Sequence, residues 1–299
     1  MADRRVADAR LAALEASVGA EVEAIRARLD DGRLHFQHGP IDLIIDADGD
    51  AAAVAQAHAA AWARFRGVLA ELVGELGVLR RPLTAAAAAE GPIARRMIAA
   101  CLPFALPPDG LFITPMAAVA GAVAEEIAGH YAGPGISRAY VNNGGDIALV
   151  LGAGQRYDIG VAGDPLRARL EGAFTLTGES AVRGIATSGW RGRSFSLGIA
   201  DRVTVLGRTA AAADAAATVV ANAVNAEHPG VRRAPACTLR DDTDLGERLV
   251  TVAVDPLPEG VVEDALERGA ASAQGLCRRG LIIGAWMNLQ GRSRAVGEP

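Results

Sequence analysis

The sequence predicts an α+β fold: a single domain in which a mixed or antiparallel sheet is flanked by helices. Strand-like runs occur in pairs with helices inserted between them, and not in a regular βαβ alternation. Of the 299 residues, 51% are apolar, which is enough for an extensive core. No fixed repeat and no Pro-, Gly- or Ser-rich linker divides the chain. We expect a helical arm over residues 1–32, one domain over 33–291 and a loose tail over 292–299.

The first half of the chain alternates helical and strand patterns. Apolar residues recur at steps of three to five over residues 6–29, which predicts an amphipathic helix. The runs LHFQH and IDLIID flank Gly39-Pro40 and predict two strands joined by a tight turn. A long helix follows Asp50, a second is expected from Ile93 to Cys101, and the small residues of FITPMAAVAGAVAEEIAGHY predict a third.

The second half is richer in strands. RAYVNNGGDIALVLG predicts two strands separated by an Asn- and Gly-rich turn. Four more strands are expected in RYDIGVAG, AFTLTG, AVRGIATSG and DRVTVLG, followed by a helix in TAAAADAAATVVANAVNAE. PACTL and LVTVAV are predicted to be short strands, VVEDALERGAASAQGL a helix and LIIGAWMNLQG a closing strand.

Composition excludes several classes of protein. The net charge is −5 and no basic block is present, which argues against a nucleic-acid partner and favours a small-molecule ligand. Every basic residue is Arg, so Schiff-base chemistry and a P-loop lysine are excluded. The three cysteines form no C-x-x-C pair, which indicates reduced core thiols.

Location and assembly are expectations of the same kind. No apolar run reaches the length of a membrane helix. The N-terminus mixes acids and arginines where a secretory signal needs an apolar core, so we expect a cytoplasmic protein without a membrane partner. A homodimer is the base-rate expectation for a chain of this size.

The predicted helix at 209–226 carries a polar stripe. Asp214, Thr218, Asn222 and Asn225 fall at steps of four, four and three among Ala and Val, which is typical of a helix whose polar side lines a cavity. Asp and Thr one turn apart both offer oxygen to a hard cation such as Mg²⁺. The alternative is structural: Asp214 caps a helix or pairs with an Arg, and Thr218 bonds back to a helix carbonyl.

Two turns are candidate ligand-binding segments. In VNNGGDIAL the glycines allow a ligand to approach the backbone, and Asp146 can accept hydrogen bonds from it. In the run Thr187-Ser188-Gly189, hydroxyl and N–H groups suit a phosphate. Ordinary turns use the same residue types, so that alternative stays open for both segments. The predicted cofactor-binding residues are Asn142, Asn143, Gly144, Gly145, Asp146, Thr187, Ser188 and Gly189.

The series VNNGGDI, GIATSG, VTVLG and ADAAAT resembles the ApbE-like superfamily, whose best-known members are FAD:protein FMN transferases. The resemblance is closer to an uncharacterised cytoplasmic branch of it, and extends from FQHGPIDLIIDADGD to ADAAATVVANAV. In the transferases Mg²⁺ helps to cleave FAD so that FMN passes to a protein threonine. By resemblance, Asp214 and Thr218 are metal ligands, and the backbone carbonyl of Ala120 in VAGA is a third.

The chain departs from the transferases in three respects. Gly121 stands in the Lys slot of their I-A-K-G segment. The short loop WRGRSFSLGIAD replaces a longer segment that contains a His and I-D-P-x-T-G. The export signal of many transferases is also missing. These departures leave three hypotheses: an enzyme acting on a phosphorylated cofactor or its precursor, a non-catalytic binding protein, and an FMN transferase with a rebuilt site. The first two bind a flavin- or nucleotide-like ligand, such as FAD, on the same fold. No residue stands out as the general base, although Asp201 and Glu126 are the acids to consider.

Overall fold

The computed structural model describes residues 23–164 and 169–297. It contains thirteen strands within these ranges: β1 Ile25–Arg28, β2 Leu34–His38, β3 Ile41–Gly49, β4 Ile136–Asn143, β5 Asp146–Leu151, β6 Arg156–Asp164, β7 Arg169–Thr177, β8 Gly184–Ser188, β9 Arg202–Gly207, β10 Val231–Pro235, β11 Leu249–Val254, β12 Gly284–Leu289 and β13 Arg292–Gly297. The longer helices are α1 Ala51–Gly74, α2 Pro92–Ala105, α3 Val119–Ala128, α4 Ala210–Ala223 and α5 Glu259–Arg278. Shorter helical turns lie at Leu76–Leu79, Pro115–Ala118, Gly129–Tyr131 and Ala236–Thr238.

Nine strands form one sheet in the order β1-β2-β3-β4-β5-β8-β9-β12-β13. Every neighbouring pair in this sheet is antiparallel. Helices pack against one face, where Phe36, Leu43 and Phe65 are fully buried in the main core. The predicted α+β class, an antiparallel sheet flanked by helices, is confirmed.

The opposite face of the sheet is covered by a second, smaller hydrophobic cluster. The β6–β7 hairpin forms its own two-stranded sheet, and Leu176 of that hairpin is fully buried against Leu149 and Ile185 of the main sheet. The alternation of side chains along a strand therefore gives β4, β5 and β8 two apolar faces. Polar residues at the ends of these strands are exceptions to that pattern.

Local capping explains why the long helix starts where it does. Asp50 is the N-cap of α1, and its Oδ1 accepts from the amides of Ala52 and Ala53, both at 3.0 Å. The sequence predicted this start from the Asp48-Gly49-Asp50 turn. No helix in the described part of the chain is long and apolar enough to cross a membrane.

Two predicted boundaries are wrong. Residues 25–28 form strand β1 and not the end of a helix, because IRAR pairs antiparallel with β2. Residues 1–22 of the predicted arm lie outside the described residues. Residues 292–297 form strand β13 and not a loose tail, because they pair with β12 and Arg294 forms an ion pair with Glu263 on α5 at 3.0 Å.

The predicted strand in PACTL is also wrong. Strand β10 ends at Pro235, and Ala236–Thr238 forms a helical turn. The hydroxyl of Thr238 donates to the carbonyl of Pro235 at 2.7 Å, a local hydrogen bond that favours a turn over an extended strand.

Candidate functional site

Four groups from four different elements meet beneath the helices, where β4 ends and β5 begins. Asn143 closes β4 and is 8% exposed, and Asp146 opens β5. The Asn143 amide nitrogen donates to the carbonyl oxygen of Ala120 on α3 at 3.1 Å. Asp214 on α4 accepts from the amide of Gly121, also on α3, at 2.9 Å. The structure thus brings together residues predicted from three separate motifs.

A glycine makes this contact between α3 and α4 possible. A β-carbon at Gly121 would lie 2.3 Å from the carbonyl oxygen of Ala210 and 2.9 Å from the β-carbon of Asp214. Such distances are far inside van der Waals contact, so any larger residue would push the two helices apart. The glycine in the position of the transferases' lysine therefore has a packing reason in this chain.

Burial raises the proton affinity of both Asp146 and Asp214, and the charge of Asp146 raises that of Asp214 further. Burial raises the pKa of Asp146 to about 7, although the amide of Thr187 donates to its Oδ1 at 3.0 Å and favours the charged form. Burial first, and then the negative charge of Asp146, raise the pKa of Asp214 well above its ordinary value. Two carboxyls held close in a poorly solvated place favour a bound proton or a cation between them.

The donor set fits a hard divalent cation. Carboxylate, carbonyl and hydroxyl oxygens are available from Asp214, Ala120 and Thr218, and Mg²⁺ takes oxygen ligands while it keeps several waters. In the described residues no hydrogen bond joins the Thr218 hydroxyl to another group. No cluster of three or more His, Cys, Asp or Glu suitable for a metal occurs in that same part of the chain. Because the available donors are all oxygens and zinc sites favour Cys and His, the donor set suits Mg²⁺ better than zinc.

The β4–β5 turn is built by its own side chains. Asn142 and Asn143 point to opposite faces of the sheet, since they are consecutive in a strand. The Asn142 side-chain oxygen accepts from the amide of Gly145 at 2.8 Å. Gly144 has φ +66° and Gly145 has φ +117°, values that favour glycine. Asn143, Gly144, Gly145 and Asp146 thus border the site, whereas the Asn142 side chain serves the turn.

The second predicted turn contributes mainly backbone. The Thr187 amide reaches Asp146, while the Thr187 hydroxyl lies 3.1 Å from that of Thr204 on the neighbouring strand. Ser188 is half-buried at the end of β8. Gly189 is buried, and a β-carbon there would lie 2.5 Å from the carbonyl oxygen of Asp201. Gly189 is therefore packed against protein backbone.

The polar stripe of α4 divides into two halves. Asp214 and Thr218 lie at the site, but Asn222 accepts from the amide of Leu197 at 2.9 Å and from the Ser196 hydroxyl at 3.3 Å. Asn225 donates to the carbonyl of Leu197 at 3.0 Å and accepts from Arg233. The second half of the predicted cavity lining therefore anchors a loop.

Neither acid considered as a general base is free. Asp201 is 14% exposed; it accepts from the Trp190 indole at 3.2 Å and from the Gln290 amide at 2.6 Å, and it pairs with Arg191 at 2.8 Å. Burial raises the pKa of Glu126, but hydrogen bonds from Arg64 and Arg96 outweigh it and lower that pKa below its ordinary value. Both acids hold neighbouring segments in place.

Sequence patterns missed one residue next to the site. Glu125 accepts from the amide of Ala211 in the first turn of α4 at 3.2 Å and pairs with Arg96 at 3.0 Å. It satisfies a free amide at a helix N-terminus, as a capping residue does, but from another helix. A partner that is distant in sequence leaves no periodic signal.

A separate cavity of about 370 Å³ lies between the β1–β2 edge and α1. His58 lines it, and its Nδ1 lies 2.8 Å from the hydroxyl of the buried Tyr131. None of the predicted metal or cofactor residues lines this cavity.

Comparison with known proteins places the chain in a family. The family model described as "AbpE bacteria" matches residues 26–295. A UPF0280 protein from Methanosphaerula palustris is 39% identical over 146 residues, which are 48% of this chain and 56% of that protein. A UPF0280 protein from Methanoculleus marisnigri is 40% identical over 120 residues, which are 40% of this chain and 49% of that protein. The matches span about half the length of these relatives.

Two solved structures are similar over most of the chain at low identity. The apo flavinyl transferase ApbE of Pseudomonas stutzeri is 14% identical with a TM-score of 0.44, and covers 92% of this chain and 94% of its own. The flavin transferase ApbE of Vibrio cholerae is 12% identical with a TM-score of 0.44, and covers 92% and 97%. Since the family model matches nearly the whole described chain, the protein belongs to the family that this model describes as "AbpE bacteria".

Proposed function

We propose that this protein binds Mg²⁺ beside the Asp146–Asp214 pair, together with a flavin- or nucleotide-like ligand, and acts on a phosphorylated cofactor or its precursor. One observation carries the proposal: two carboxyls with raised pKa values share a poorly solvated place with the Ala120 carbonyl. Burial raises both pKa values and the charge of Asp146 adds to that of Asp214, so a bound divalent cation would offset the cost of keeping the two carboxyls ionised. Family membership supports the same assignment.

Three oxygens would hold the cation: the Asp214 carboxylate, the Thr218 hydroxyl and the Ala120 carbonyl. Backbone amides of Gly121 and Ala120 hold the Asp214 carboxylate in place, and the Gly121 amide lies 2.9 Å from its Oδ2. The Asn143 side-chain amide donates to the Ala120 carbonyl and fixes its position. When bound, Mg²⁺ supplies Lewis-acid polarisation of a phosphoryl oxygen.

The ligand would lie along the two turns. The Asn143 to Asp146 segment and the Thr187 to Gly189 segment would together hold its planar, ribityl, hydroxyl and phosphate groups. Orientation of a ligand against a fixed cation lowers the entropic part of a barrier.

Ligand-induced stabilisation tests the proposal. The melting temperature would be measured with FAD, FMN, ATP and a pterin, each with and without Mg²⁺, because a specific ligand stabilises the folded state by mass action. We expect at least one Mg²⁺-dependent increase that Asp214→Ala abolishes. An increase that Asp214→Ala leaves unchanged would remove the metal from the site.

The same panel separates the competing functions. Incubation of the stabilising ligand with the protein, followed by mass spectrometry, distinguishes an enzyme, which forms product, from a binding protein, which does not. Covalent flavin on an acceptor protein would instead assign FMN transfer. No stabilisation by any of the four compounds would contradict the flavin- or nucleotide-like ligand.

A further inference from the structure

The loop from Trp190 to Ala200 places an arginine side chain at the edge of the β4–β5 turn. The guanidinium Nη1 of Arg193 lies 3.8 Å from the position that a β-carbon on Gly144 would occupy. Arg193 and Gly144 are both exposed to solvent. This loop therefore contributes a positive charge beside the turn that borders the carboxylate pair.

The other arginine of the loop is already engaged. Arg191 pairs with Asp201 at 2.8 Å, and its guanidinium lies 5.2 Å from the centre of the Trp190 ring. By contrast, among the residues that the structure describes, Arg193 has no hydrogen bond and no ion pair. Five N–H donors thus remain available on Arg193.

The turn beneath Arg193 leaves room for a ligand. Gly144 and Gly145 carry no side chains, and no atom lies within 4 Å of where a β-carbon on Gly145 would be. A positive φ at two consecutive residues exposes backbone to an approaching group. An anion placed here would meet a guanidinium above it and glycine backbone below it.

Charge decides which group fits. The Asp146–Asp214 pair repels anions unless a proton or a cation neutralises it, and Mg²⁺ characteristically binds proteins through one or two carboxylates plus phosphate oxygens. Arginine binds phosphate with a planar pair of donors, more specifically than a point charge does. A phosphate or diphosphate group can satisfy the cation and Arg193 together.

We propose that Arg193 is the phosphate-binding residue of the site, and that it selects ligands carrying a phosphate or diphosphate over their dephosphorylated forms. This selection rests on the proposed function, because that proposal places the cation beside the Asp146–Asp214 pair. The anion contact itself needs only Arg193 and the Gly144–Gly145 turn.

Calorimetric titration tests this residue with inorganic pyrophosphate, FMN and riboflavin in the presence of Mg²⁺. Arg193→Ala should weaken pyrophosphate and FMN binding about tenfold or more, and riboflavin binding little. Arg193→Lys keeps the positive charge but not the planar pair of donors, so it should recover only part of the lost affinity. Arg66→Ala removes an exposed arginine from α1 and controls for the change in net charge.

Equal pyrophosphate affinity in Arg193→Ala and the unsubstituted protein would overturn the assignment, as would a loss of the same size in Arg66→Ala. Absence of pyrophosphate binding to the unsubstituted protein would overturn it as well. A separate titration with Mn²⁺ alone reports on the proposed function. If the protein bound no cation but still bound pyrophosphate through Arg193, the proposed metal site would be wrong and the assignment of Arg193 would stand.

Discussion

The two halves of helix α4 look alike in sequence and differ in what their polar residues do. In the first half, Asp214 is held by the backbone amides of Gly121 and Ala120 and faces another carboxyl, and the Thr218 hydroxyl has no hydrogen bond within the described residues. In the second half, Asn222 is bonded to the loop that precedes β9, and Asn225, just beyond the end of the helix, donates to the same loop. Equal spacing on one helix face thus identifies a polar face, but not its purpose.

The difference follows from what each half packs against. The first half lies against α3, where Gly121 permits backbone contact and leaves no side chain to neutralise Asp214. The second half lies against residues 196–198, whose backbone groups need partners because that loop is buried. Asn222 and Asn225 satisfy backbone groups of this loop, whereas Asp214 and Thr218 stay available to a ligand.

Asp214→Asn should give the largest effect. It removes a charged ligand, and since even residues behind a metal ligand are worth 10–100-fold in affinity, we expect Mn²⁺ affinity to fall about 100-fold or more. The metal-free protein should unfold at the same temperature or higher, because a poorly solvated carboxylate is removed. Calorimetry with Mn²⁺ and a melting curve check both, and an unaltered Mn²⁺ affinity would contradict the metal site.

Gly121→Ala should separate α3 from α4. The added methyl would overlap the Ala210 carbonyl, and overpacking of this kind costs about 1–3 kcal/mol. We expect a lower free energy of unfolding together with weaker Mn²⁺ binding. Gly129→Ala, at the other end of α3, is the matched control, since no atom lies near its β-carbon position and its backbone is helical. A loss of stability in the control as large as in Gly121→Ala would refute the close-contact explanation.

Asn222→Ala should affect stability and leave the site intact. The amide of Leu197 loses its acceptor, which costs about 1–3 kcal/mol in a protected environment. Denaturant unfolding should show this loss while Mn²⁺ affinity stays unchanged. Asn222→Asp keeps an acceptor oxygen and should lose less. If Asn222→Ala weakened Mn²⁺ binding as strongly as Asp214→Asn, the division of α4 into two halves would fail.

Sequence patterns predicted some elements of the fold and not others. Period-two and helical patterns predicted the core strands and the long helices, because burial of one face imposes those periods. Strands β1 and β13 were missed because IRAR and RSRAVG carry little apolar alternation and are held by pairing with β2 and β12. Such pairing is a tertiary property.

The site shows the same limit. The motifs predicted Asp214, Asn143 and Asp146, and the structure brings them together, but their roles as metal or cofactor residues stay predictions. Glu125 and Arg193 have no motif, because each acts on a segment far away in sequence. Their contribution depends on how α3 and the Trp190–Ala200 loop are placed.

The pH dependence of stability should report on the carboxyl pair beside the first half of α4. The raised pKa of Asp146 favours folding while the carboxyl is protonated. This stability is fully present below its ordinary pKa of 3.8 and is lost as pH rises through about 7. The metal-free protein should therefore melt at a lower temperature as pH increases over this window.

Mg²⁺ should reverse that loss, since it competes with the proton for the carboxylates. The increase in melting temperature caused by Mg²⁺ should grow from mildly acidic to mildly alkaline pH in the unsubstituted protein and in Asn222→Ala, and be absent in Asp214→Asn. A Mg²⁺ effect independent of pH would show that the cation binds away from the pair.

Thr218→Val should give the smallest effect. Valine keeps the shape and removes one neutral oxygen, so we expect Mn²⁺ affinity to fall about three- to tenfold, which corresponds to about 1 kcal/mol. Stability should not fall, because the Thr218 hydroxyl has no hydrogen bond to another described residue that could be lost. Thr218→Ser keeps the hydroxyl and should bind Mn²⁺ nearly as the unsubstituted protein does. If Ser and Val weakened binding equally, Thr218 would act through packing of its methyl group, and the first half of α4 would offer the cation a single side chain.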